Sequence, residues 1–174
     1  VETSRIITTG GHYAFLKIAE GCDKHCTYCI IPSLRGNYRS VPMERLLKEA
    51  NELADQGVRE LILVAQETTL YGVDLYGKKM LPELLHKLAE IPGIYWIRIQ
   101  YCYPEEITDE LIETIKTEDK VCHYLDIPIQ HASDAVLQRM GRRTNNNEIR
   151  GLLAKLRNAI PDIALRTTPL SGFP

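Results

Sequence analysis

The sequence predicts an α/β fold, a partial TIM-like (β/α) barrel truncated after about five strands. Three observations predict it. Short apolar runs alternate with longer amphipathic ones about four times and close on a fifth apolar run, the pattern of β-α units whose right-handed crossovers build a parallel sheet. The run ELILVA at 60–65 is almost unbroken in apolar character, as in a strand covered on both faces. No glycine-rich dinucleotide or phosphate-loop fingerprint follows any strand, which sets a flat doubly wound sheet behind the barrel.

In chain order, YAFLKIA (13–19) is the first strand and leads directly into a cysteine-bearing loop. MERLLKEANELADQG (43–57) places Met43, Leu46, Leu47, Ala50, Leu53 and Ala54 on one helical face, with Pro42 at its start and Gly57 at its end. ELILVA is the second strand. LPELLHKLAEIPG (81–93) is a helix with a stripe of Leu84, Leu85, Leu88 and Ala89, and YWIRIQY (95–101) is the third strand. TDELIETIK (108–116) is a helix capped by Thr108, and HYLDIPI (123–129) is the fourth strand. Two helices follow, at 133–140 and 145–160, the second with Asn145 and Glu148 at capping-box distance. DIALRTT (162–168) is the fifth strand, and the chain ends soon after it, so it reads as a fragment of a barrel that would continue.

Composition narrows the class. The 174 residues are 44% hydrophobic and 25% charged, with a net charge of -2, as in an ordinary globular domain with one core. No apolar run reaches membrane-spanning length, and the first residues lack the charged-then-apolar look of a signal peptide. Five cysteines are too few for a disulfide scaffold, so the expected compartment is the reducing cytoplasm.

The unusual residues all follow strands, where (β/α) barrels collect their chemistry. Cys22, Cys26 and Cys29 follow the first strand; Gln66 and Glu67 open the polar stretch QETTLYGVDLYG after the second. CYPEE (102–106) follows the third, Gln130 and His131 then Arg142 and Arg143 follow the fourth, and Arg166 lies on the fifth. Each has a plainer reading: strand-end caps for Gln66 and Glu67, loop polars for Gln130 and His131, a solvated helix end for the arginine pair. Cys102 and Cys122 read as small buried hydrophobes, Tyr71 and Tyr76 as loop packing, and SLRGNYRS (33–40) as solvated loop.

Three thiols in one short loop point to a soft metal. Zinc accepts such gaps, with His25 or a distant residue as a fourth ligand. An iron–sulfur cluster stands ahead of it, and a cluster held by three thiolates leaves one iron open.

Cys22-x-x-x-Cys26-x-Tyr28-Cys29 after a first barrel strand resembles the radical S-adenosylmethionine (radical SAM) superfamily. With Pro32, Arg35 and Gly36 following, and with VAQETTLYGVDLYG, RIQYCYPEEIT and YLDIPIQHASDAVLQRMGRRT further on, the chain is similar to the methylthiotransferases, and within them to the branch that modifies a ribosomal protein. The tRNA-modifying branch carries different residues where this chain has Thr68, Thr69, Tyr71 and Tyr103-Pro104. A non-catalytic, zinc-stabilised binding module is the remaining alternative.

The resemblance implies a radical SAM core domain over residues 1–174, lacking an N-terminal domain with a second 4Fe-4S cluster and a C-terminal RNA-binding-like domain. It implies that Cys22, Cys26 and Cys29 hold a 4Fe-4S cluster whose open iron chelates S-adenosylmethionine, cleaved reductively to a 5′-deoxyadenosyl radical. Gln66 and Glu67 would then meet the cofactor's amino end, Arg142 or Arg166 its carboxylate, and Tyr28 its adenine; Gln130 completes the cofactor-binding set. The implied partners are a small-subunit ribosomal protein as substrate and an electron donor such as flavodoxin or ferredoxin, with no nucleic acid bound by this segment. Pro169 and Ser171 depart from the apolar residues usual there, which would end the fifth strand early.

Overall fold

The computed structural model describes residues 10–174; residues 1–9, included in the domain expected from the sequence, lie outside the described residues. Strand β1 (Tyr13–Lys17) leads into the two-residue β2 (Ala19–Glu20), and after the cysteine loop come a short helix α1 (Ile31–Arg35) and β3 (Arg39–Ser40). Then follow α2 (Met43–Asp55), β4 (Glu60–Val64), α3 (Val73–Tyr76), α4 (Leu81–Ala89) and β5 (Trp96–Ile99). A 3-10 turn at Pro104–Glu106 precedes α5 (Asp109–Thr117), β6 (Val121–Asp126), α6 (Asp134–Arg139), α7 (Asn146–Ala159) and β7 (Ala164–Arg166).

Five strands form one sheet in the order β1-β4-β5-β6-β7, every neighbouring pair parallel. Each new strand is added on the same side. A doubly wound sheet would reverse at a switch point, whereas this monotonic order is the wall of an open (β/α) barrel.

Helices α2, α4, α5 and α7 bury Leu46, Leu53, Leu84, Leu88, Leu111, Ile115 and Leu156 against sheet residues such as Leu16, Leu61, Leu63, Ile97 and Leu125. The other sheet face is far less covered. Phe15 and Trp96 are exposed, Glu60 is paired with Arg98 at 2.7 Å, and the Arg98 guanidinium lies 5.0 Å from the Tyr124 ring centre. Alternation along each strand explains both faces, because successive side chains point to opposite sides.

The helix ends behave as their sequences predict. Thr108 Oγ1 accepts from the Leu111 N–H at 3.2 Å, and Asn145 with Glu148 forms a full capping box. The strand ends differ. The first strand stops at Lys17, since Ala19 and Glu20 pair antiparallel with β3, and the expected solvated loop 33–40 is instead largely α1 and β3. The fourth strand begins and ends earlier than 123–129, where Pro128 cannot supply a ladder N–H. Only Ala164–Arg166 of the expected fifth strand pairs regularly; beyond it Pro169 meets Gln130 in one isolated bridge.

Leu63 lies in the middle of β4 between two parallel neighbours and is wholly buried. Leu63→Ala is expected to cost about 2–5 kcal/mol, read as a lower urea midpoint with an unchanged slope.

Candidate functional site

The cysteine loop is held from several sides. Gly21 opens it at φ +84°, and a Cβ there would stand 2.2 Å from the Asn37 carbonyl oxygen, so only glycine fits. The Gly21 N–H donates to Gln66 Oε1 at 2.9 Å, and the Cys22 N–H donates to the Gly36 carbonyl at 3.2 Å. Farther along, the Thr27 N–H and Oγ1 donate to the carbonyls of Met140 and Arg139, each at 3.0 Å. The loops after α1, β4 and α6 therefore fix the backbone that carries the thiols.

Cys22 and Cys26 are buried and Cys29 half-buried. Burial pushes the Cys22 thiol up, the Lys24 N–H hydrogen bond to its sulfur (3.4 Å) opposes this, and the nearby Cys26, Glu67 and Cys29 raise it further. Cys26 Sγ lies 3.5 Å from the Tyr103 hydroxyl. Among the described residues no three His, Cys, Asp or Glu side chains are already drawn in to hold a metal ion. The trio shares one loop and one charge environment without yet converging.

Glu67 turns inward rather than to the rim. It has no exposed surface, and its carboxylate accepts from the Thr69 N–H at 3.0 Å, the Thr69 hydroxyl and the Tyr103 N–H at 3.2 Å. Burial pushes this carboxyl up to about 7, against the lowering effect of the Thr69 and Tyr103 hydrogen bonds. Gln66 has spent its carbonyl oxygen on Gly21. Glu67 therefore presents no free acceptor to a ligand's ammonium group, and Gln66 Oε1 is engaged in holding the loop.

Arg142 is also buried, at 8% exposure. Its guanidinium stacks 4.3 Å from the Tyr103 ring centre and Nη2 donates to the Pro128 carbonyl at 2.9 Å, while Nε and Nη1 have no partner. Beside it lies a cavity of about 130 Å³ lined by Lys24, Cys26, Tyr103, Glu105, Arg142 and Arg143. Arg166 is committed elsewhere: it pairs with the buried Asp126. Tyr28 is exposed next to Phe173, with ring centres 6.2 Å apart, and Gln130 takes a left-handed backbone with φ 69°.

The structure thus brings Cys22, Cys26, Glu67 and Arg142 together around Tyr103 and leaves Arg166 outside that group. Tyr71 and Tyr76 are packing residues, their hydroxyls bonded to the Val41 carbonyl and the Met43 N–H. Cys102 is fully buried as expected, whereas Cys122 is only half-buried. Sequence reasoning placed CYPEE on the rim but assigned Tyr103, Glu105 and Glu106 no role, and it missed Lys24. The adjacent acidic pair after a strand was the available signal, and nothing local tied it to Lys24.

These features define a class. Residues 16–174 match the radical SAM superfamily, and the chain belongs to it. It is 74% identical, over all of its length, to a protein of Lachnoclostridium phytofermentans named ribosomal protein uS12 methylthiotransferase RimO, and 57% identical over 99% of its length to the protein of that name in Clostridium kluyveri. It spans 40% and 39% of those two proteins. The fold is shared with the radical S-adenosylmethionine methyltransferase TsrM of Kitasatospora setae, solved with cobalamin and a [4Fe-4S] cluster, at TM-score 0.71 and 17% identity, covering 93% of this chain and 31% of that one. The cobalamin-dependent enzyme OxsB aligns at TM-score 0.66 and 16% identity, over 89% of this chain and 23% of that one.

Glu67 makes stability depend on pH. Its folded-state carboxyl titrates near 7, above the ordinary 4.5, so the folded protein holds the proton longer than the unfolded chain. This contribution is complete below pH 4.5, declines as pH rises to about 7, and is constant above. Urea unfolding of the metal-free chain is expected to lose about 3 kcal/mol across that window, and Glu67→Gln should flatten it.

Proposed function

We propose that this chain is the cofactor-activating core of an enzyme that adds a methylthio group to an aspartate β-carbon of ribosomal protein uS12. The reading is supported by the high identity to proteins named for that activity. The observation that carries it is one rim where a single loop bears three thiols and its Cys26 stands beside a buried arginine with two unpartnered N–H groups.

The donor set suits a 4Fe-4S cluster. Cys22, Cys26 and Cys29 are three soft ligands, while Cys102 is buried and hydrogen-bonded with Thr68 at 3.4 Å. Three thiolates leave one iron for a small chelating ligand. When bound, the cluster supplies the electron that breaks a sulfonium–carbon bond of S-adenosylmethionine.

The chain's own residues bind and aim. Arg142 directs Nε and Nη1 at the cofactor's carboxylate, and the Tyr103 ring fixes the plane of that guanidinium. Tyr28 offers an exposed aromatic face to the adenine. Gln66 acts through Gly21, setting the loop rather than touching the ligand, and Glu67 does the same through Tyr103. Gln130 shapes the rim by its left-handed turn, and Arg166 orients Asp126 at the strand ends.

Residues 1–174 form one core domain in this reading, and the longer protein adds a domain with a second three-cysteine cluster and an RNA-binding-like domain. A flavodoxin or ferredoxin supplies electrons in the cytoplasm. Nucleic acid is not bound by this segment. No helix among the described residues is long and apolar enough to cross a membrane.

Anaerobic reconstitution should yield brown protein containing iron rather than zinc, and Cys26→Ala should lose both the iron–sulfur absorption and cofactor cleavage; cleavage that survives the substitution contradicts the site. Arg142→Met should weaken S-adenosylmethionine binding roughly 10- to 100-fold, as expected for a lost charged hydrogen bond, measured by titration of the reconstituted protein. In a strain lacking the full-length gene, restoring it should return the methylthio mass to uS12. Its return to tRNA instead would overturn the substrate.

A further inference from the structure

Lys24 stands between Cys22 and Cys26 in the loop, yet it is only 8% exposed. Lysine is almost never buried unless paired. Its ammonium reaches Glu105 Oε1 at 3.1 Å and also Glu106 Oε1, both on the 3-10 turn that follows β5. Lys79 completes the group from the other side, 2.9 Å from Glu106 Oε2 and 3.0 Å from the Glu106 carbonyl.

The same residue addresses the thiols. The Lys24 N–H donates to Cys22 Sγ at 3.4 Å. Its ammonium also lies 5.2 Å from the ring centre of Tyr103, whose hydroxyl is 3.5 Å from Cys26 Sγ. Lys24 therefore joins two thiols to a turn about 80 residues away in sequence. The loop's other anchors are Gly21, Cys22 and Asp23 on one side, the last accepting from the Tyr38 N–H at 3.2 Å, and Thr27 on the other. Between them, Lys24 ties the span that carries Cys26 by an ionic pair.

We propose that Lys24 is a positioning residue: gripped by Glu105 and Glu106, it holds the cysteine loop down on the rim, so that Cys22 and Cys26 stay covered and in register for a metal. The second half of that statement rests on the reading of the trio as cluster ligands; the first half does not. With its ammonium taken up by the two carboxylates, Lys24 acts through the loop.

The test is thiol labelling of the metal-free chain with a maleimide, followed cysteine by cysteine by mass spectrometry. In the unchanged chain Cys29 should react fast, Cys22 and Cys26 slowly, and the fully buried Cys102 slowest. Lys24→Met should speed Cys22 and Cys26 by about tenfold or more, as a local opening does, while Cys102 stays shielded and so reports an intact fold. Lys24→Arg should restore protection. Because Lys24→Met strands the Glu105 carboxylate and leaves Glu106 with Lys79 alone, the triple variant Lys24→Met, Glu105→Gln, Glu106→Gln removes all three charges together and should also expose both thiols.

In the reconstituted protein, Lys24→Met should lose iron to a chelator about tenfold faster than the unchanged chain. Cys22 and Cys26 remaining protected in the single variant, or in the triple variant where the single one releases Cys102 as well, overturns the clamp. Labelling that rises as expected in a chain that takes up zinc but no iron supports the clamp and removes the cluster reading instead.

Discussion

The rim depends on a carboxylate that has no water. Glu67 is wholly buried, and a buried carboxylate is tolerated only with its oxygens satisfied. It draws its donors from Thr69 and from the Tyr103 N–H, while its own carbonyl accepts from the buried Tyr38 hydroxyl at 2.9 Å. Three segments of the chain are thereby drawn together at one point beneath the cysteine loop. Tyr103, placed by this bond, then faces Cys26 with its hydroxyl and Arg142 with its ring. Removing that anchor would leave the thiols, the arginine and the acidic turn without a common reference.

The parallel sheet supplies the setting. With every strand running the same way, the loops after them emerge on one edge, and a small number of loop-to-loop bonds is enough to build a site there. Much of the rim's polar chemistry is used internally. Gln66, Glu67 and Arg166 are each bound to protein groups, and the buried side-chain atoms without a partner are on Arg142, Glu105 and Thr144 among the described residues. Those on Arg142 and Glu105 border the same small cavity beside Cys26. The distribution separates residues that shape the rim from those positioned to meet a ligand, and it favours Arg142 over Arg166 for the anion-binding part of the proposed function.

How far the sequence could be read follows from the range of each signal. Helix stripes, the Thr108 cap and the Asn145–Glu148 capping box are local patterns, and each appears where its sequence places it. The short β2–β3 ribbon did not announce itself, because two-residue strands carry no periodicity and need each other to form. The shortened fifth strand was legible through Pro169, which cannot donate to a ladder. Within the site, the cysteine spacing was visible at once, since all three residues lie within eight positions of one another. The inward turn of Glu67 was not, because burial depends on segments 29 and 36 residues away.

By itself, then, the sequence determined the order of elements, the parallel sheet they imply and the loop that carries the thiols, because these arise from side-chain periodicity and near-neighbour spacing. Only the tertiary structure decided which polar residues face each other. Lys24 reaches across 82 positions to Glu106, and Arg142 lies on the ring of Tyr103 across the rim. Such pairs are chosen by which loops the sheet brings side by side and by the need of each buried charge for a partner, and no local pattern encodes either.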